Sequence, residues 1–84
     1  MKVTIVSPEK TLFTGEATCV AVPGKKGRFE VLSNHAPIMS TLSAGTVECK
    51  GAEPLSIEID GGFIEVARNE VSVCVEVRHS EANA

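Results

Sequence analysis

Leu55-Ser56-Ile57-Glu58-Ile59-Asp60-Gly61-Gly62-Phe63-Ile64-Glu65-Val66-Ala67-Arg68-Asn69-Glu70-Val71-Ser72-Val73-Cys74-Val75-Glu76-Val77 is the stretch on which the fold of this chain turns. Its last part alternates without a break: Val71, Val73, Val75 and Val77 fall on one parity, and Ser72, Cys74, Glu76 and Arg78 on the other. Its first part does the same, with Leu55, Ile57 and Ile59 against Ser56, Glu58 and Asp60. Successive side chains of a strand face opposite sides, so this pattern buries one face and wets the other. Asp60-Gly61-Gly62 and Arg68-Asn69 read as turns between the strands, because Gly and Asn admit positive φ.

The same punctuation recurs along the rest of the chain, at Ser7-Pro8, Pro23-Gly24, Ser33-Asn34 with Pro37, Ala44-Gly45, and Lys50-Gly51 with Pro54. The stretches between are of strand length, the spacing of a sandwich or barrel. Cys19 to Val22 is less polarised than the others and predicts a strand covered on both faces. Met39 to Leu42, bracketed by Pro37 and Gly45, predicts a short strand rather than a helical turn. No stretch repeats apolar residues at i, i+3, i+4 and i+7 over the length of a helix. The fold class is therefore all-β, a flattened antiparallel sandwich or barrel, in one domain over 1–78 with a short polar tail over 79–84.

With 84 residues the chain fits one domain, and a domain this small buries only about 60–65% of its unfolded surface. Partner contacts would add to its stability. At 43% hydrophobic it is too apolar to be disordered. Phe13, Phe29 and Phe63 are its only aromatics, so the core must be Val, Ile and Leu. A formal charge of −3 argues against nucleic acid as a partner, and Lys25, Lys26 and Arg28 read as a solvated basic loop. Apolar runs such as Cys19 to Val22 fall far short of the roughly 20 residues of a spanning helix. The N-terminus has too short an apolar core for a signal peptide, which leaves the chain in the compartment where it is made.

Chemistry-bearing residues are sparse. Cys19, Cys49 and Cys74 are odd in number and widely spaced, which argues against disulfides and zinc. His35 has only His79 as a companion, too few for a metal constellation or a catalytic base with partners, and reads as an interface residue. Asp60-Gly61-Gly62 lacks the Lys-Ser/Thr of a phosphate loop and no helix follows it. Glu30, Glu58, Asp60 and Glu65 show no nucleophile and base together, and Glu65 lies on the parity opposite Ile64 and Val66, facing solvent. No catalytic residue, cofactor, metal or small-molecule substrate is expected.

Two segments carry a family signal: Pro23-Gly24-Lys25-Lys26-Gly27-Arg28-Phe29-Glu30-Val31-Leu32-Ser33-Asn34-His35-Ala36-Pro37 and Asp60-Gly61-Gly62-Phe63-Ile64-Glu65-Val66. With Ser7-Pro8-Glu9-Lys10 and Phe13-Thr14-Gly15, their order and spacing resemble the N-terminal domain of the ATP synthase epsilon subunit, from about Val3 to Val77. Ala36 is pushed toward extended geometry by Pro37, so Asn34-His35-Ala36-Pro37 forms a stiff corner presenting His35. Gly61 and Gly62 let another strand approach closely, as Gly24 and Gly27 do for their loop.

The resemblance implies a sandwich of about ten short strands in the central rotor, one face on the gamma subunit and the lower loops on the polar loops of the membrane c-ring. It implies a non-catalytic subunit that couples ion translocation to ATP synthesis, held peripherally on the cytoplasmic side of the bacterial inner membrane without inserting in it. Carried over by position, Arg28, Ser33, Asn34 and His35 would face the c-ring, and Ser7, Met39, Thr46 and Asp60 would face gamma. Most relatives continue into a C-terminal helical hairpin that restrains hydrolysis, and this sequence stops before it, which predicts coupling without that brake. Two positions depart from the pattern. Arg28 stands where the loop usually carries Glu, predicting acidic ring partners, and Asp60 replaces a usually small residue. The alternative reading is a stand-alone β-sandwich module binding a peptide or protein, which an aromatic-lined groove would mark.

Overall fold

The computed structural model describes residues 1–78; the polar tail expected over 79–84 lies outside the described residues. Alternation and turn chemistry produce eight strands: β1 (Lys2–Val6), β2 (Thr11–Glu16), β3 (Cys19–Gly24), β4 (Gly27–Leu32), β5 (Ile38–Leu42), β6 (Gly45–Lys50), β7 (Leu55–Ala67) and β8 (Glu70–Val77). Hydrogen-bonded order is β2-β1-β8-β7-β5-β3-β4, with β6 pairing β3 and β7. The body is flattened, 40 × 28 × 19 Å. Pairing is antiparallel except where β1 lies parallel to β8, Val3 beside Val71 and Ile5 beside Val73.

The stretch expected to turn at Asp60-Gly61-Gly62 does not turn. β7 runs through it for 13 residues, and this continuity is one reason the strands number eight rather than about ten. Asp60 is an extra residue, since Ile59 pairs Val77 while Gly61 pairs the next residue, Glu76. A bulge of this kind adds one residue and reverses parity. Ile59 is buried on one side of it, and Ile64 and Val66 are buried on the other, odd numbers giving way to even. The first half of β7 pairs β6 and the second half pairs β5, so one strand serves both layers. Gly62, at φ 152, lies so close to β8 that a Cβ would fall on the Cys74 carbonyl oxygen.

The first layer is β2, β1, β8, the second half of β7 and β5; the second is β4, β3, β6 and the first half of β7. Between them lie Val3, Ile5, Val20, Val22, Val31, Val47, Ile59, Ile64, Val66, Val71 and Val73, each 0–1% exposed. Full burial of such a side chain contributes about 1.5–3 kcal/mol. The core is aliphatic, as the composition requires, with Phe13 and Phe29 packed at its margins.

β3 is buried at every position, as its unpolarised sequence predicts, and the outer cover has a specific cause. Cys19, Ala21 and Pro23 face outward between Leu32, Glu30 and Arg28 of β4 and, beside Cys19 and Ala21, Lys50 and Glu48 of β6. The three small residues leave room for longer side chains to meet above them. Arg28 reaches Glu48 at 2.9 Å, and Lys50 approaches Glu30 at 3.9 Å.

Two hairpin tips mark opposite ends of the sandwich. Arg68-Asn69 closes β7 to β8 with both residues at positive φ, 54° and 61°, the geometry that matches strand twist. The Asn69 Oδ1 accepts the Asn34 N–H at 2.8 Å, tying this tip to the β4–β5 corner. At the other end Lys25 and Lys26 turn β3 into β4, and the Lys25 N–H donates to the Thr41 carbonyl at 3.0 Å.

Candidate docking surface

The outer face of the first layer is built by register. Phe63 lies opposite Thr41 on one side and Cys74 on the other, and Cys74 lies beside Val6. Met39 is two residues from Thr41 on the same face of β5, opposite Glu65. Phe63 is 46% exposed and Met39 70%, although both are large and apolar. Three clefts join along this face: one lined by Lys25, Lys26, Phe29, Met39 and Thr41, a second by Met39, Thr41 and Phe63, and a third by Phe63, Cys74, Val6 and Pro8. They share residues and form one trough that crosses β5, β7, β8 and β1. Three steps between strands make it about 14 Å across the sheet.

The trough gathers two of the four residues expected to face gamma. Met39 lies near its basic end, and Ser7 lines the end at Pro8. The Ser7 hydroxyl donates to the Lys10 carbonyl at 3.3 Å and accepts the Lys10 N–H at 3.3 Å, shaping the β1–β2 turn. Thr46 is elsewhere: its carbonyl accepts the Arg28 guanidinium at 2.6 Å over the second layer. Asp60 sits at the bulge, where its carboxylate accepts the Arg78 Nε at 3.0 Å. Phe63 was not expected in this surface, and it occupies the middle of it.

Of the ring-facing set, Ser33, Asn34 and His35 stay together at the corner after β4, beside the Arg68-Asn69 tip. The His35 Nδ1 lies 2.7 Å from the Ala36 carbonyl. Arg28 does not join them. It stands at the opposite end of β4, five residues away, or about 17 Å at strand rise. Within the chain its guanidinium meets Glu48 at 2.9 Å, in a pair that stays partly exposed.

The remaining chemistry is disposed as follows. Burial pushes the Cys19 and Cys49 thiols up, so both hold their protons at neutral pH and are poor nucleophiles. Cys19 faces the outer side of β3, while Cys49 sits in the core. Glu30, Glu58, Asp60 and Glu65 are exposed rather than convergent, with Glu30 and Asp60 in ion pairs. Among the described residues no cluster of three His, Cys, Asp or Glu could hold a metal, and no helix is long and apolar enough to cross a membrane.

The chain that carries this open trough has relatives among known proteins. The model of the ATP synthase delta/epsilon chain β-sandwich domain matches residues 1–80. The chain belongs to that family. The ATP synthase epsilon chain of Leptospira borgpetersenii is 44% identical over 77 residues, which are 90% of this chain and 61% of that one. This chain thus spans about three fifths of the length of that relative. The epsilon chain of Caulobacter vibrioides is 44% identical over 73 residues, covering 86% of this chain and 85% of its own.

The epsilon-type fold is equally evident in three dimensions. A chain from the Tetrahymena thermophila mitochondrial ATP synthase central stalk and c-ring superposes with a TM-score of 0.79 at 13% identity, over 89% of this chain and 62% of that one. One from the Euglena gracilis mitochondrial ATP synthase gives 0.80 at 19% identity, over 87% and 48%.

Proposed function

We propose that this chain is a non-catalytic central-stalk subunit of an F-type ATP synthase, linking the gamma subunit to the c-ring and so coupling ion translocation to ATP synthesis. The observation that carries the reading is the trough: an epsilon-type sandwich leaves Phe63 and Met39 uncovered on one outer face, while on the other ion pairs cover β3 and only Leu32, on the neighbouring β4, is a large apolar residue left exposed among the described residues. Large exposed apolar side chains gathered in one open cleft are the usual mark of a surface that a partner covers. Gamma is the partner assigned to the trough, with Phe63, Met39 and Ser7 in contact. The Ser33-Asn34-His35 corner, at the end away from Lys25 and Lys26, is assigned to the c-ring polar loops. Thr46 and Asp60 lie off the trough and Arg28 stands at the far end of β4 from Ser33, so neither assigned contact includes them. The subunit would be peripheral to the membrane, on the cytoplasmic side in a bacterium.

The test is reconstitution of the synthase with and without this chain. With it, gamma and the c-ring co-purify and ATP-driven ion pumping is tight. Without it, hydrolysis continues while pumping and synthesis collapse. Full coupled activity in its absence, or failure to capture gamma and the c-ring, sinks the reading. Cys substitutions at Ser33 or Asn34 that never cross-link to the c-ring loop of an intact complex would remove the ring assignment alone.

A further inference from the structure

The trough carries opposite charges at its two ends. Lys25 and Lys26 stand at one, exposed on the turn between β3 and β4, where they line a cleft together with Met39 and Thr41. Arg28, the third cation of this turn, is committed to Glu48 and the Thr46 carbonyl. At the other end Glu76 lines the cleft beside Ser7 and Pro8, and Glu9 follows, its carboxylate 3.5 Å from the Ser7 hydroxyl. Both glutamates are exposed. Among the described residues none of these two lysines and two glutamates has an ion-pair partner within the chain. Between the ends lie Met39 and Phe63, 70% and 46% exposed. The turns that carry the charges are both hydrogen-bonded, Lys25 N–H donating to the Thr41 carbonyl at 3.0 Å and Ser7 N–H to the Lys10 carbonyl at 2.8 Å. The charged residues therefore keep to opposite ends of the apolar stretch.

A groove that is cationic at one end, apolar in the middle and anionic at the other is complementary to itself turned end for end. We infer that the free chain pairs with a second copy of itself through this trough, across a twofold axis between Met39 and Phe63. A twofold contact uses the same patch on both copies. The turned copy sets its Glu76 and Glu9 against Lys25 and Lys26, and the match occurs twice, once at each end. Met39 and Phe63 of each copy cover those of the other. Glu65, opposite Met39 and two residues along β7 from Phe63, stays at the rim. The parallel arrangement would set lysine against lysine and glutamate against glutamate, which like-charge repulsion penalises. A net charge of −3 opposes the approach of two copies at long range, so the pair depends on these local contacts. It is also weak. A stable interface buries about 800 Å² on each partner, whereas the trough is about 14 Å across the sheet. A dissociation constant on the order of 10–100 μM is expected. Pairing of the free chain does not depend on what the trough meets in an assembly.

The test is sedimentation equilibrium of the full 84-residue chain over concentrations that bracket that constant. The chains compared are the parent, Lys25→Glu/Lys26→Glu, Glu9→Lys/Glu76→Lys, an equimolar mixture of these two variants, and each of the three with Phe63→Ser added. Circular dichroism and thermal midpoint confirm that each remains folded. The parent should form a dimer and nothing larger. Each charge variant alone should pair at least about tenfold more weakly, because both ends then repel. The mixture should recover pairing as a one-to-one complex, because each end again meets its opposite. Phe63→Ser should remove pairing from the parent and from the mixture alike. A parent that stays monomeric throughout overturns the inference. So does pairing of either charge variant as tight as the parent's, or a mixture that recovers nothing. Recovery in the mixture that survives Phe63→Ser would show attraction by charge alone, away from the trough, and overturns it as well.

Discussion

The two outer faces of this sandwich are made of the same kind of strand and end in opposite conditions. Over β3 the outward residues are small, Cys19, Ala21 and Pro23, and side chains from β4 and β6 meet above them in ion pairs. Over β7 the outward residue at the centre is Phe63, and the neighbours across the ladder, Thr41 and Cys74, are too short to cover it. Small residues under long charged ones make a mostly covered surface, with Leu32 of β4 left exposed at its margin. A large apolar residue among short neighbours makes an open one. The difference lies in the order of side-chain lengths across three adjacent strands.

The strongest way to break this contrast is from beneath the trough. Gly62→Ala puts a methyl group on the Cys74 carbonyl oxygen, at a φ that side chains avoid, and neither backbone can move without disturbing the β7–β8 ladder. A loss of about 3 kcal/mol or more is expected in denaturant unfolding. A variant as stable as the parent would mean that β7 and β8 are further apart than described.

A smaller effect is expected on the closed face. Ala21→Leu forces bulk between Arg28–Glu48 and Glu30–Lys50 and should cost about 1–3 kcal/mol. If the outer side of β3 were open, the same change would be nearly neutral. The ion pair itself is worth less, because both partners are more than 40% exposed. A double-mutant cycle with Arg28→Ala and Glu48→Ala should return about 0.2–1 kcal/mol, falling with added salt. A larger, salt-independent coupling would make the roof a rigid element rather than a cover. Smallest is Met39→Ala. At 70% exposure its truncation should move the stability of the free chain by less than about 0.5 kcal/mol. Destabilisation on the scale of a buried methionine, about 2–5 kcal/mol, would place Met39 in the core and remove it from the trough.

Much of the fold is legible in local alternation. The valines of β8, the unpolarised β3 and the short β5 stand where the sequence reading puts them. The Asp60 bulge was misread as a turn because a Gly pair is strong turn chemistry, yet parity signalled it: Leu55, Ile57 and Ile59 are odd, Ile64 and Val66 even, and an uninterrupted strand cannot change parity without an added residue. Phe63 was missed although it shares parity with Glu65, which solvent exposure already claimed. Aromatic character weighs toward the core, and only register shows its neighbours to be short. The Arg28–Glu48 contact and the parallel β1–β8 pair were not readable, since each joins residues far apart in sequence through strands whose order alternation does not encode.

β7 also has a mechanical meaning. Thirteen residues of unbroken strand belong to the second layer at one end and to the first at the other, hydrogen-bonded on the way to β6, β5 and β8. A push on either layer therefore travels to its fellow along a continuous backbone, instead of through a loop that could give. Separating the layers would require shearing several ladders together, while the kink at Asp60 sets the angle at which the strain passes between them. A domain braced in this way resists deformation as a stiff wedge would, with little flexing inside it.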